Sequence, residues 1–509
     1  MTDHPVEPPD PARRRFFRQF AGDVVTSIGS VLGAAQVLQQ QSADAARELL
    51  GTSEPVAAPA PSAPATTPVE VDAASAGYRA AFRWDGDVCR LVDQSRLPDV
   101  LAEREVRSTV DLVTAINEGA LIGSAVQAQV AAVTLALVAG RSILSRPFAR
   151  RATIRGAANA LRLNRPGSAA LVLAVDRQVA LLESLGQDDE GAAVVTALTL
   201  EAEAILLEAQ AEHGALVEHA AAALPGGPGD PLRVLTIGST GAMGGGLSGT
   251  ALSAILALHH AGRPIHALVA ETRPLFEGSR IAAWELRQAG ASHAVVTDAA
   301  APGCIAAGEV SAVLVAADRV AANGDVIAIA GTYPLALAAA EAGIPFLVCA
   351  PVTSLDLATR TGGAARIEEG RPGSVLRAAG TRIAPEGTQI RNPLQDLTPA
   401  DLVTAIITGE GVLRPPYGPA IVAAVAAADA RRTSPGFAAL VAKRVAEAEA
   451  AAARAAAEEA AARAEAAEAA THAAEPATHA AEAEAVTEAE AVTEAAAAVD
   501  TDPSAEAAS

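Results

Sequence analysis

The segment Val234-Leu-Thr-Ile-Gly-Ser-Thr-Gly-Ala-Met-Gly-Gly-Gly-Leu-Ser-Gly249 is the part of this chain best suited to hold a ligand. A short apolar run ends near Ile237, glycines follow, and a helical pattern begins at Gly249. Backbone N–H groups at such a helix start can seat an anion. Gly244-Gly-Gly-Leu-Ser-Gly249 also fits the GxGxxG pattern of dinucleotide sites, with Glu271 downstream as a ribose-binding acid. The apolar run ends too far before Gly244 for the tight first turn of that motif, and no Lys-Ser/Thr follows the glycines as a Walker A loop requires. His259 and His260 are neighbours on a helical pattern and face different ways, so they do not form a metal pair. Cys89, Cys304 and Cys349 show no CxxC or metal-ligand spacing. No metal and no cofactor is expected, and sparse cysteines suit a reducing, cytoplasmic setting.

The elements around this loop read as an α/β protein. With 509 residues the chain has room for two or three domains. Residues 226–428 alternate buried apolar strands with helices. The strand candidates are Val234–Ile237, Ile265–Ala270, His293–Thr297, Ala312–Ala316 and Phe346–Cys349. Helices are expected at Gly249–His260, Ile281–Ala289 and Tyr333–Ala342. That alternation predicts a Rossmann-like, doubly wound parallel sheet with ligands at the carboxyl ends of its strands. Residues 76–225 read as a mostly helical domain opened by a β segment near Ala81–Leu91, with helical pattern at Asp111–Ile116, Ser124–Ala139, Ala180–Leu185 and Ala192–Ala223.

The ends are different in kind. Residues 1–50 carry one amphipathic helix, with Phe17, Phe20, Val24 and Ile28 on its apolar face. Arg13-Arg-Arg precedes it, but Asp23 interrupts the apolar stretch that an export signal needs. This face suits docking on a partner or membrane surface as well as it suits packing on its own protein. Residues 51–75 are a Pro/Ala linker, and residues 429–509 an Ala/Glu-rich tail of low complexity, expected helical at first and disordered beyond Pro476. The net charge of −21, without a basic stripe, argues against nucleic-acid binding. No uninterrupted apolar run long enough to span a membrane stands out.

Several segments together resemble one family. They are Glu271-Thr-Arg-Pro-Leu-Phe-Glu-Gly-Ser-Arg280, Ala317-Asp-Arg-Val-Ala-Ala-Asn-Gly-Asp325, Gly331-Thr-Tyr333, Asn392-Pro, Asp396-Leu-Thr-Pro-Ala-Asp-Leu and Gly411-Val-Leu-Arg-Pro415. Trp84-Asp-Gly-Asp, Leu91-Val-Asp-Gln-Ser-Arg-Leu-Pro98 and Arg165-Pro-Gly-Ser-Ala agree in order and spacing. Residues 78–416 thus resemble the methylthioribose-1-phosphate isomerases and the related regulatory subunits of translation initiation factor 2B. The resemblance implies an aldose–ketose isomerisation of a sugar phosphate, with Asp318 as catalytic aspartate and Gly119, Ala120, Arg165 and Glu277 at substrate-binding positions. It also implies a homodimer through the sheet domain.

The chain departs from the family pattern at four places. The family's catalytic cysteine position is Gly238 here. An arginine-glycine-alanine loop becomes Glu118-Gly-Ala120, a glutamine becomes Glu277, and an asparagine-lysine pair becomes Ala328-Ile329. Read as charges, these changes remove cations and add anions where a phosphate is expected. They bring in a second reading, a non-catalytic regulatory or ligand-binding relative that holds a sugar phosphate or nucleotide-like molecule. Cys304 or Cys349 replaces the thiol only if the fold brings one beside Asp318.

Overall fold

A computed structural model describes residues 69–70, 81–378, 381–447, 450 and 454. The amphipathic helix expected in residues 1–50, most of the 51–75 linker and most of the tail lie outside the described residues.

The chain first builds a small antiparallel sheet, in the order β1 (Val69–Glu70), β4 (Ala102–Val106), β3 (Val88–Val92), β2 (Phe82–Asp85). Five helices follow: α1 (Thr109–Asn117), α2 (Ser124–Arg141), α3 (Pro147–Asn164), α4 (Ala169–Ser184) and α5 (Gly191–Ala223). The hub is α2, which packs against the other four. Its run of Ala and Val lets neighbouring helices approach closely on every side. By length and composition alone α2 could cross a membrane, yet 78% of it is buried inside the protein, so it is a core helix. Its first turn also meets the glycine loop. A Cβ on Gly123 (φ +113°) would lie 2.3 Å from the Gly244 carbonyl oxygen, so only glycine admits this approach of two backbones.

The second half begins with β5 (Leu232–Thr236). After it come a short α6 (Ala242–Gly245), α7 (Ala251–His260), β6 (Ile265–Ala270), α8 (Ala283–Gln288), β7 (Ser292–Val296), α9 (Ala301–Ala306) and β8 (Ala312–Ala316). Next are β9 (Arg319–Ala321), β10 (Val326–Ile329), α10 (Thr332–Ala342), β11 (Phe346–Cys349), β12 (Leu355–Asp356), α11 (Pro372–Leu376), β13 (Arg377–Ala378) and β14 (Thr381–Arg382). The described part closes with β15 (Gln395–Thr398), β16 (Ala405–Thr408), β17 (Gly411–Leu413) and α12 (Tyr417–Arg432), and residues 435–447 are helical.

Seven strands form one sheet in the order β17-β16-β11-β8-β5-β6-β7, parallel except for β17. Alternation along each strand supplies two apolar faces. Val234, Val269, Leu314 and Ile407 pack with Leu216 and Ala220 of α5 and with Leu252 and Ile255 of α7. Leu235, Val313, Val348 and Ile406 pack with Leu335 and Ala336 of α10 and with Ile421 of α12. The sheet is therefore doubly wound. From β5 the chain builds outward through β6 to β7, then crosses to β8 and builds the other way. The strand order reverses between β5 and β8, and the crevice at such a switch point is where α/β sheets take ligands. A second sheet, β12-β9-β10-β15, stands beyond the end of β8 and walls this crevice.

The expected strands lie within one or two residues of their sequence-read bounds. The helix expected at Ile281–Ala289 is entered through a π-helical turn, Gly278–Ala282. Single-turn π segments are frequent at functional sites.

Candidate active site

The crevice is a cleft of about 810 Å³ between the glycine loop, the start of α2 and the second sheet. Asp318 follows β8 at the switch point and continues directly into β9, so it is not a helix N-cap. Its Oδ1 accepts the hydroxyl of Ser124, the first residue of α2, and its Oδ2 accepts Gln395 Nε2 at 2.6 Å. Two donors from two different elements thus fix the carboxylate in the cleft. Both donors escape sequence reading, because neither sits near Asp318 in the chain.

Gly238 follows β5, opposite Asp318, at φ +81°. Its N–H donates to Thr272 Oγ1 at 3.0 Å. Thr272 is itself left-handed, at φ 64°, an uncommon conformation for a β-branched residue. Asp298 holds it there: its carboxylate accepts the N–H groups of Thr272 and Arg273 at 2.8 and 2.7 Å. Replacing Asp298 by Ala orphans two backbone donors beside a strained residue. We expect a loss of about 2–3 kcal/mol of stability in urea unfolding.

The remaining sequence-read positions divide. Gly119, Arg165 and Glu277 line the cleft. Ala120 does not: it is fully buried, and its N–H donates to Ala115 at 2.8 Å. Arg165 lies at the end of α3, with Nε 2.9 Å from Glu368 Oε2 and Nη1 donating to Gln127 Oε1 at 3.0 Å. Glu118 stands at the rim, half exposed, and pairs with Arg104 at 2.6 Å. That partner offsets the repulsion expected from its charge. Ala328 is buried in the second sheet, whereas Ile329 faces the cleft.

Glu277 is 8% exposed. Burial first, and then the facing Asp318 carboxylate, push its carboxyl up to about 7, against the opposing pull of Arg165, the Ser239 N–H and Arg280. The sequence reading of Glu277 as a simple added anion is corrected: near neutral pH it is protonated about as often as not.

None of the three cysteines lines the cleft. Cys349 ends β11 but is fully buried, and burial raises its thiol well above the usual range. Cys304 lies on α9. The thiol rescue is not available in this fold. The glycine pattern at Gly244 serves packing instead of a dinucleotide: a Cβ there would meet the Ser239 carbonyl oxygen, and one at Gly249 would lie 2.3 Å from the backbone of Gly241.

Three cations at the cleft were not singled out in the sequence: Arg273, Arg366 and Arg371. Arg273 stacks 4.6 Å from the Phe276 ring centroid, and its buried Nη1 has no hydrogen-bond partner among the described residues. An orphaned guanidinium nitrogen in a cleft is a natural anion contact. Its signal was present in the Glu271-Thr-Arg-Pro segment, but only the fold shows that Asp298 turns this loop toward the switch point. Gln94 and Arg280 brace the same wall: Gln94 Nε2 donates to the Met243 carbonyl at 2.9 Å, and Arg280 Nη1 donates to the carbonyls of Gln94 and Leu97 at 3.0 and 3.2 Å. Among the described residues no cluster of His, Cys, Asp and Glu could hold a metal ion.

Known proteins resemble this chain over the part that builds the cleft. The family model for the initiation factor 2 subunit family matches residues 121–415. A methylthioribose-1-phosphate isomerase of Chloroflexus aurantiacus is 39% identical over 334 residues, 66% of this chain and 95% of that relative. A methylthioribose-1-phosphate isomerase of Synechococcus sp. (strain CC9605) is 40% identical over 337 residues, covering 66% and 94%. The crystal structure of 5-methylthioribose 1-phosphate isomerase from Pyrococcus horikoshii superposes with TM-score 0.60 at 28% identity, covering 68% of this chain and 96% of that one. The delta subunit of translation initiation factor eIF-2B from A. fulgidus does so with TM-score 0.57 at 29% identity, covering 68% and 99%. The fold, the motifs and these similarities agree: the chain belongs to the initiation factor 2 subunit family and is methylthioribose-1-phosphate isomerase-like.

Proposed function

We propose that this protein isomerises a furanose 1-phosphate to the ketose 1-phosphate, with methylthioribose 1-phosphate as the substrate to test first. The observation that carries the reading is Asp318, a carboxylate held by Ser124 and Gln395 at the switch point of the sheet. Such a reaction opens the ring and moves hydrogen from C2 to C1, so a carboxylate beside C2 can take the hydroxyl proton there. Arg273 supports a phosphate seat, with Arg165 and the mouth residues Arg366 and Arg371 adding positive potential. The relatives' names support the sugar. Three free cysteines suit a reducing, cytoplasmic compartment. The free edge of the sheet at β7, where Val295 is 46% exposed, suits a homodimer through the sheet domain.

The second reading, a non-catalytic binding relative, draws on Gly238 and on the absence of any cysteine in the cleft. One experiment separates the two. Purified protein incubated with methylthioribose 1-phosphate and followed by phosphorus and carbon NMR should produce the ketose; binding without conversion favours the second reading. Arg273→Ala should raise KM about 10-fold to 100-fold, the worth of one charge-assisted contact, with a smaller change in kcat. An unchanged KM removes Arg273 from the phosphate seat.

A further inference from the structure

Opening a furanose ring needs a proton for the ring oxygen, and the isomerase reading so far supplies only the base, Asp318. Of the two other carboxyls that are both buried and in the cleft wall, Glu368 is held by Arg165 Nε at 2.9 Å and by the Gly167 N–H at 2.7 Å, which leaves Glu277. It stands just before the π-helical turn after β6, across from Asp318 at the end of β8. Gly238, which has no side chain, leaves the space beside Glu277 open. A Cβ built on Gly238 would lie 3.5 Å from Ile329 Cγ2 and 4.0 Å from Glu277 Oε2. The carboxyl thus reaches the volume that a longer residue at 238 would fill, with the apolar Ile329 on its other side.

We propose that Glu277 is the proton donor of the isomerisation, giving its proton to the ring oxygen while Asp318 receives the proton of the C2 hydroxyl. This rests on the isomerase reading above. The Glu277 O–H bond breaks as an O–H bond forms on the ring oxygen, which keeps the electron pair of the broken C1–O bond. The hydrogen on C2 moves to C1 with its bonding pair. The O–H pair at C2 closes the carbonyl, and that proton passes to Asp318. One proton enters and one leaves, so the product has the atoms of the substrate and no external oxidant or reductant is needed. Water returns the proton from Asp318 to Glu277 between turnovers.

The surroundings favour a carboxyl that holds its proton near neutrality. Asp318 faces it with a negative charge, and burial disfavours a second one. Arg165 at the end of α3, Arg280 on its own turn and the Ser239 N–H after β5 oppose these and keep the proton transferable. Glutamine at this position would offer a hydrogen bond but no proton. The departure at Glu277 and the bare Gly238 are then one change: the acid sits on the neighbouring strand's loop instead of on the glycine loop.

The test uses the full chain with methylthioribose 1-phosphate. Glu277→Gln should lower kcat by about 10²-fold to 10⁴-fold with KM within about threefold. Wild-type kcat should fall as pH rises through about 7, and this limb should vanish in Glu277→Gln. In Glu277→Asp the limb should persist at a shifted pH, because the carboxyl remains in a changed setting. Circular dichroism confirms folding, and if Glu277→Gln does not fold, the Asp variant decides. A Gln variant within threefold of wild-type kcat, or a limb unmoved in the Asp variant, overturns the proposal and leaves the isomerase reading standing. No turnover by the wild type overturns both.

Discussion

Asp318→Asn should reduce turnover of methylthioribose 1-phosphate by about three orders of magnitude while leaving the protein folded. The loss of one acid/base group costs about 10²-fold to 10⁴-fold, and the groups hydrogen-bonded to Asp318 cannot take over its role. Its neighbours Ser124 and Gln395 are donors without useful basicity at neutral pH. The Asn side chain has the same shape, and Ser124 can still donate to its oxygen. Gln395 must turn its amide to meet the new NH₂, which costs no more than about 1–2 kcal/mol. Steady-state kinetics and urea unfolding on the same preparation check both halves. Substantial turnover by the Asn variant would remove Asp318 from the chemistry, whatever the family resemblance implies.

That prediction rests on a residue legible in the sequence, and the contrast with its partners is instructive. An apolar run such as Ala312–Ala316 is fully specified by local pattern, so a carboxylate just after it can be placed at a strand's carboxyl end without coordinates. Ser124 and Gln395 lie 194 and 77 residues from Asp318 in the chain, and only the packing of α2 and β15 brings them to it. Helix α3 was not singled out because its pattern is dense in arginine. Burial of Arg151, whose guanidinium donates to the carbonyls of Leu182 and Leu185, spends that charge inside the helical domain. Strands β9, β10 and β15 are three or four residues each, too short to rise above the surrounding turns. The charge changes at Glu118 and Glu277 look alike in one dimension. In three dimensions one is a rim residue paired with Arg104, and the other is buried, partly neutral and turned into the cleft. Desolvation has no signature in sequence, so a count of lost cations overstated how hostile the pocket is to phosphate. Arg273, Arg366 and Arg371, all at the cleft, support the same conclusion from the other side.

Glu277→Gln should also change how stability depends on pH, independently of any substrate. The folded-state carboxyl is raised from its ordinary value of 4.5 to about 7, chiefly by burial and then by Asp318. Between these values the native state holds more protons at this site than the unfolded chain does. Stability at this site is therefore fully present below about 4.5 and is lost as pH rises through about 7. Glutamine mimics the neutral acid at every pH and removes that loss. The variant should gain on the wild type by up to about 3 kcal/mol between pH 4 and pH 8, an upper bound from the shift itself. Measuring the difference between two proteins is essential. Glu285 and Asp396 are raised by burial as well, to about 7 and about 6, and add slopes of the same sign. His213, buried and lowered to about 4, adds the opposite slope, because the unfolded chain takes up its proton first as pH falls from about 6.5. These contributions are common to both proteins and cancel. Asp318→Asn supplies the internal check: without the facing carboxylate, Glu277 should ionise more readily, and its share of the pH slope should shrink and move to lower pH. A difference between Glu277→Gln and wild type that is flat from pH 4 to pH 8 would mean that Glu277 is charged in the native protein, and the cleft would then carry two facing anions with no proton to give.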